Sequence, residues 1–229
     1  MTLTSASARS VKGEKTRSLI LEKAIELFRQ RGYDETTMRM IAEHAGVALG
    51  NAYYYFASKE HLVQGLYEQL EAEQMDASTA VLAREKSFKN RLAGAILAEL
   101  TVLEPYHRLC AALFKHAADP ASPLSPFGPA SEPIRNRVIT SYARLVEGAH
   151  DTIPQDLKVD LPQLLWLFKM GVVLFWIHDR SFGRNRTYHL VSRSVDIIAT
   201  LVSLMSMPIF VPVRKKLLKL MQGLKANPS

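Results

Sequence analysis

The chain has 229 residues, 48% hydrophobic and 22% charged, which are ordinary values for a globular protein and exclude general disorder or a fibrous repeat. A formal net charge of +7 favours polyanionic partners without separating nucleic acid from an anionic membrane surface. A single cysteine, Cys110, excludes an internal disulfide and the usual cysteine-built zinc site, and it suits a reducing cytoplasm.

The opening Met1 to Ser10 lacks the apolar core of a signal peptide. The longest unbroken apolar-plus-glycine run, Met170 to Ile177, is far short of the roughly 20 residues of a membrane-spanning helix, so neither export nor a membrane partner is expected. Apolar residues recur at three- and four-residue intervals and strict alternation is never sustained, so the chain reads as all-α. Residues 1–14 read as a flexible basic N-terminal arm. A first helix follows from about Lys15 to Arg31, with Leu21, Ala24, Ile25 and Phe28 on one face and Gly32 as its terminator. Short helices are expected at about Thr37 to His44 and Ala48 to Tyr54. Ser58 is a fitting N-cap for a long helix to about Arg84, with Glu60 in its positive first turn.

Further helices are expected at about Phe88 to Leu103 and Glu104 to Ala118. The segment Asp119 to Pro129, with prolines at 120, 123, 126 and 129, reads as a loop. Helices resume at about Glu132 to Asp151, Leu161 to Phe182 and Thr187 to Met207. Asp160 with Gln163 resembles a capping box for the second of these, and Gly183 is its expected stop.

The informative stretch is Thr36 to Leu62, TTMRMIAEHAGVALGNAYYYFASKEHL, where two short helices meet through Ala45-Gly46-Val47. Met38, Ile41 and Ala42 point inward from the first, Gly46 supplies the turn, and Val47 with Phe56 closes a small core, which is helix-turn-helix geometry. The second helix, Ala48 to Tyr54, is then the one to lie in a major groove. One or more of Tyr53, Tyr54 and Tyr55 is expected to pack between this module and the following long helix. Arg9, Lys12, Lys15 and Arg17 form a basic cluster that reads either as a solvated charge run or as an arm reaching DNA.

These residues resemble the N-terminal domain of the TetR family. Thr37, Ile41, Ala42, Ala45, Gly46 and Val47 match its opening pattern, and Tyr53, Tyr54, Phe56, Lys59 and Leu62 its finish. The likeness spans about Lys15 to Leu66, and beyond it only length and helical character agree. The resemblance implies an all-α chain: a helix-turn-helix DNA-binding domain over 15–57 and a larger helical domain for effector binding and dimerisation over 58–229. It implies a homodimeric regulator of transcription on double-stranded operator DNA, most readily a repressor released by a small, largely apolar effector. It places Thr37, Tyr54, Tyr55 and Lys59 near phosphates and Arg39, Leu49, Asn51 and Tyr53 near base edges, with Ala48 and Gly50 completing the surface toward DNA. Hydroxyl, ammonium, guanidinium and amide groups suit those tasks. The family often carries a polar residue where Leu49 stands and Thr or Ser where Asn51 stands, so the operator sequence does not transfer.

The helix with LLWLFKMGVVLFWI is apolar nearly all round and must be covered on more than one side. With Val191, Val195, Ile198, Leu201, Val202 and Met205 of the next helix, it suits an intermolecular four-helix bundle, the dimer interface the resemblance implies. Tyr106, Cys110, Phe114, Trp166, Met170, Phe175 and Trp176 are the candidates for an effector lining, with ordinary core as the competing use of each. His107, Cys110 and His116 match no standard metal spacing, and no metal or cofactor is expected. No phosphate loop, nucleophile elbow or zinc-protease signature occurs, so an enzyme is not expected. A regulator without a ligand, or an activator, is the alternative reading.

Overall fold

The three- and four-residue apolar spacing resolves into helices in the computed structural model, which describes residues 3–225; no strand occurs among them. In chain order they are α1 Leu3–Arg31, α2 Met38–His44, α3 Leu49–Tyr55, α4 Lys59–Arg84, α5 Phe88–Leu103, α6 His107–Ala117, α7 Glu132–Glu147, α8 Gln155–His178, α9 Asn185–Ser206 and α10 Val211–Lys225. Two compact units divide the chain. One takes it through Leu70 and adds Tyr106–Pro133; the other takes Glu71–Pro105 and everything from Ile134 on. Helix α4 is unbroken across the passage from Leu70 to Glu71.

In the first unit Ile20, Ala24 and Phe28 of α1, Ile41 and Ala42 of α2, Ala52 of α3 and Leu62 and Leu66 of α4 are buried together as core. Tyr33 extends this core, its ring 5.3 Å from that of Phe28 and 5.0 Å from that of His116 on α6. The Asp34 carboxylate accepts from Lys115 and, at 2.9 Å, from His116, and the Lys115 ammonium holds it below the usual carboxylate range. The proline segment is a succession of turns, as expected, held by Gln64, whose Nε2 donates to the Pro123 carbonyl at 2.6 Å.

In the second unit Arg91 of α5 is buried and donates to four carbonyls: Leu82 at 2.7 Å, Glu85 at 2.9 Å, Leu145 at 2.8 Å and Arg144 at 3.1 Å. These lie at the ends of α4 and α7, where helical partners run out, although the Arg144 carbonyl also accepts from the Gly148 N–H at 3.1 Å, so one guanidinium closes two helices. Asp179 does comparable work between α8 and α9. Its carboxylate accepts from the N–H and hydroxyl of both Ser181 and Thr187, at 2.7 to 2.9 Å. Burial pushes the Asp179 pKa up, but those four donors prevail and hold it well below the carboxylate range.

Several boundaries differ from expectation. Helix α1 starts at Leu3, not near Lys15, so residues 3–14 of the expected flexible arm are helical; no proline interrupts them, although the serines, Thr4, Val11 and Gly13 there are weak helix formers. Met1, Thr2 and the side chain of Arg9 lie outside the described residues. Helix α8 starts at Gln155 and carries Pro162 inside, so Asp160 is a buried helical residue and not a cap. The buried stripe of Leu157, Leu161 and Leu165 offsets the one backbone bond that proline removes. The Asp179 turn, not Gly183, stops α8 at His178. Helix α10 was not expected at all.

The segments Gln155–His178 and Phe182–Ser206 have the length and mean hydropathy, 1.4 and 1.2, of a membrane span. Counting unbroken apolar runs missed this, because Lys169 splits the first. That same lysine is buried in an ion pair with Glu99 of α5, at 2.9 Å, a role for a packed core helix.

Candidate nucleic-acid interface

The turn between α2 and α3 is fixed by local chemistry. Thr37 caps α2, its hydroxyl accepting from the Met40 N–H at 3.3 Å. The helix closes with the N–H of Gly46 on the Glu43 carbonyl, 3.1 Å, and of Val47 on the Ala42 carbonyl, 3.0 Å. Gly46 sits at φ +65°, and a Cβ added there would meet nothing within 4 Å, so backbone conformation and not space selects glycine. Ala48 then enters α3 in extended conformation and its carbonyl accepts from Asn51 and Ala52.

Helix α3 buries only Ala52. Gly50 and Asn51 are exposed, Leu49 and Tyr55 are half-buried, and Tyr53 and Tyr54 are 49% and 80% exposed. Thr37, Arg39 and Ala48 are exposed as well, so every expected DNA-facing residue except the half-buried Leu49, Tyr55 and Lys59 reaches solvent freely. Of the three tyrosines, Tyr55 is the one that packs: its hydroxyl lies 3.6 Å from where a Cβ on Gly13 would stand, and its ring meets Tyr54 edge-on at 5.0 Å.

Lys59 opens α4 and turns its ammonium back onto the loop before α2, donating to the carbonyl of Tyr33 at 2.8 Å and lying 4.4 Å over the Tyr33 ring. The Tyr33 hydroxyl donates to Glu60 at 3.0 Å, and burial with that neighbouring charge raises the phenol well above its ordinary pKa. Lys59 therefore has a fold-holding task that motif matching did not indicate. Arg17 lies 5.0 Å over the Phe56 ring and 3.8 Å from Glu68.

The seven expected effector-lining residues divide between the units. Tyr106, Cys110 and Phe114 belong to the first, where the Arg29 guanidinium stands 5.4 Å over Tyr106, Phe114 is 36% exposed, and burial pushes the Cys110 thiol up to about 12. Trp166, Met170, Phe175 and Trp176 belong to the second. There Trp166 and Trp176 are buried, Met170 and Phe175 half-buried, and Trp176 Nε1 donates to Glu104 at 3.3 Å. Motif reading passed over the polar cluster in the same unit, where Lys169 Nζ is 2.8 Å from Gln74 Oε1 and 2.9 Å from Glu99 Oε2, which also accepts from Tyr142. One signal was present: a lone lysine inside an otherwise apolar stretch.

A capped short helix, a glycine turn in left-handed conformation and a second short helix with its surface left outward define a helix-turn-helix DNA-binding protein. The family model for bacterial regulatory proteins of the tetR family matches residues 20–66, and that for the tetracyclin repressor-like C-terminal domain matches 91–217. The chain belongs to the TetR family of transcriptional regulators, a family of DNA-binding proteins and not of enzymes.

Among curated relatives, it is 34% identical over 95 residues to the HTH-type transcriptional repressor KstR2 of Mycobacterium tuberculosis, covering 40% of this chain and 46% of that protein. It is 28% identical over 90 residues to the fatty acid metabolism regulator protein of Bacillus subtilis, covering 39% of this chain and 46% of that protein. The matches thus span about half the length of these relatives. Among solved structures, a putative TetR-family regulator from Syntrophomonas wolfei aligns with a TM-score of 0.63 at 18% identity, over 82% of this chain and 96% of that one. The Bacillus subtilis regulator FadR in complex with stearoyl-CoA aligns with a TM-score of 0.55 at 17% identity, over 78% and 96%. Both likenesses establish the fold.

Proposed function

We propose that this regulator is a homodimeric repressor that leaves a palindromic operator when a small, largely apolar effector enters its C-terminal domain. The observation that carries the DNA half is the outward surface of α3: a helix that buries Ala52 alone and holds Tyr54 80% exposed has no intramolecular use for that face. In this reading Arg39, Leu49, Asn51 and Tyr53 meet base edges, and Thr37, Tyr54 and the unused N–H of Lys59 meet phosphates. Ala48 and Gly50 let the backbone approach closely, and Tyr55 positions the module. Lys12, Lys15 and Arg17 add electrostatic attraction. Operator DNA puts the site of action in the cytoplasm.

Dimerisation is supported by exposed apolar side chains at helical spacing: Leu167 and Leu174 on α8, Ile197 and Leu201 on α9. Two such helices from each copy close a four-helix bundle. Repression is supported by the relative named a transcriptional repressor, and an effector with an apolar portion by the stearoyl-CoA complex of a structural neighbour, whose acyl chain is apolar and whose head is anionic. Trp166, Met170, Phe175 and Trp176 are the proposed lining within the second unit; Tyr106, Cys110 and Phe114 belong to the first. A second reading, a regulator that needs no ligand, is favoured by the narrowness of the space between α5 and α8, about 170 Å³ including its opening to solvent.

Selection of bound sequences from random duplex DNA, followed by competition with candidate effectors, tests both readings. A palindromic site bound by two chains and released by an apolar compound supports the proposal. Binding to isolated half-sites by a monomer refutes it. A palindromic site that no such compound releases favours the second reading.

A further inference from the structure

The second unit contains a buried polar stripe that the fold alone does not explain. On α4, Glu71, Gln74 and Ser78 are 7%, 8% and 2% exposed, and spacings of three and four put them on one face of the helix. Gln74 accepts from Lys169, and Lys169 also pairs with Glu99, which accepts from Tyr142 at 3.1 Å. Glu71 Oε2 accepts from Arg137 Nε at 2.9 Å, but Glu71 Oε1 is buried with no hydrogen-bond partner among the described residues, and so is Ser78 Oγ. Buried polar groups are almost always paired, and a carboxylate oxygen without a donor is costly. Two such atoms on the face that also holds Gln74 mark a place built to receive a donor from outside.

We propose that this stripe recognises a neutral, largely apolar molecule through a hydroxyl group that donates to Glu71 Oε1, which refines the effector reading above and rests on it. The charge balance sets the class. Glu99 is matched by Lys169 and Glu71 by Arg137, so an anionic head group would add an unmatched negative charge to a poorly solvated site, and an ammonium an unmatched positive one. A hydroxyl adds neither and supplies the missing proton donor. Ile96, Leu100 and Val172 line a narrow space between α5 and α8 that Glu99 and Lys169 border, and Lys169 joins it to Gln74 of the stripe; a ten-carbon body enters only if α5 and α8 part there.

The test uses the full chain and four ten-carbon probes, namely 1-decanol, decanoate, decylamine and decane, followed by the fluorescence of Trp166 and Trp176. The alcohol binds at least tenfold more tightly than the other three, and Glu71→Gln reduces its affinity about tenfold while leaving that of decane unchanged. The order of the four probes on the unaltered protein decides the matter even if Glu71→Gln fails to fold. Equal or tighter binding of decanoate, decylamine or decane, or no binding of decanol, overturns the inference. Release of selected operator DNA is measured alongside. Decanol binding in the expected order without release leaves the recognition intact and refutes effector control, whereas release by decane or decanoate does the reverse.

Discussion

Replacing Lys59 separates a structural role from a DNA-contacting one, because the two leave different signatures. Its ammonium has three N–H donors; one is committed to the Tyr33 carbonyl at 2.8 Å and a second reaches that of Asp34 at 3.4 Å. Lys59→Ala removes those bonds and the contact over the Tyr33 ring. For a half-buried lysine this costs about 1 to 2 kcal/mol of stability. If the third N–H meets a phosphate, each chain also loses one counterion-releasing contact, worth about 0.9 in the slope of log affinity against log salt. A dimer loses about 1.8. Between about 50 and 200 mM salt the unaltered protein should therefore lose about twelvefold more affinity than the variant, with every operator sequence weakened alike. Fluorescence anisotropy on two unrelated duplexes over that range measures it. A variant that melts lower but keeps the parental slope would show that Lys59 only holds the loop before α2, and a changed preference between duplexes would refute the phosphate assignment.

Asn51→Ala should alter sequence preference at about 1 to 3 kcal/mol for one base pair per half-site without changing the salt slope, as read from competition among single-base operator variants. Gly46→Ala meets no steric obstacle yet forces alanine into left-handed backbone at φ +65°, so it should cost about 1 to 2 kcal/mol and lower the melting temperature by a few degrees in calorimetry. Asp179→Ala strips the α8–α9 turn of four accepted bonds and should cost about 2 to 4 kcal/mol at neutral pH. Because the folded carboxylate titrates below its unfolded value of about 3.9, its stabilisation is complete above about pH 5 and fades as pH falls below that value, so parent and variant should converge in acid melts. An effector that releases operator must bind more weakly by the same factor when operator is present, and equal affinities in titrations with and without DNA would show it to be uncoupled.

The DNA module was legible because its determinants are local. Thr37 caps a helix four residues before Ile41, Gly46 is required by one backbone conformation, and Ala52 is the one small residue that α3 must bury; each can be read from neighbours in sequence. Burial at Lys59 was not legible in that way, since its partners Tyr33 and Asp34 come from a separate loop and nothing in the motif distinguishes a solvated lysine from a bonded one. The α8 boundaries failed for the same reason. Asp160 and Gln163 make a fair capping pattern, but the buried Leu157, Leu161 and Leu165 carry the helix back to Gln155, and Asp179, which stops it, depends on Thr187 eight residues on.

The polar stripe of the second unit shows where sequence patterns of this kind stop. Glu71, Gln74 and Ser78 fall at spacings that on an exposed helix would be an unremarked solvated face, and Lys169 alone, inside an apolar run, looks like a membrane-unfriendly interruption. Only the packing of α4, α5, α7 and α8 within one unit turns the first into an interior surface and the second into its counter-charge. Replacing a buried ion pair by well-packed apolar residues is often neutral or stabilising, so stability by itself gives little reason for Lys169 and Glu99 to be there. Two unpartnered atoms on the adjoining face of α4 supply a different reason, because a site that must discriminate between ligands of similar shape does so through polar groups left unsatisfied until the right one arrives.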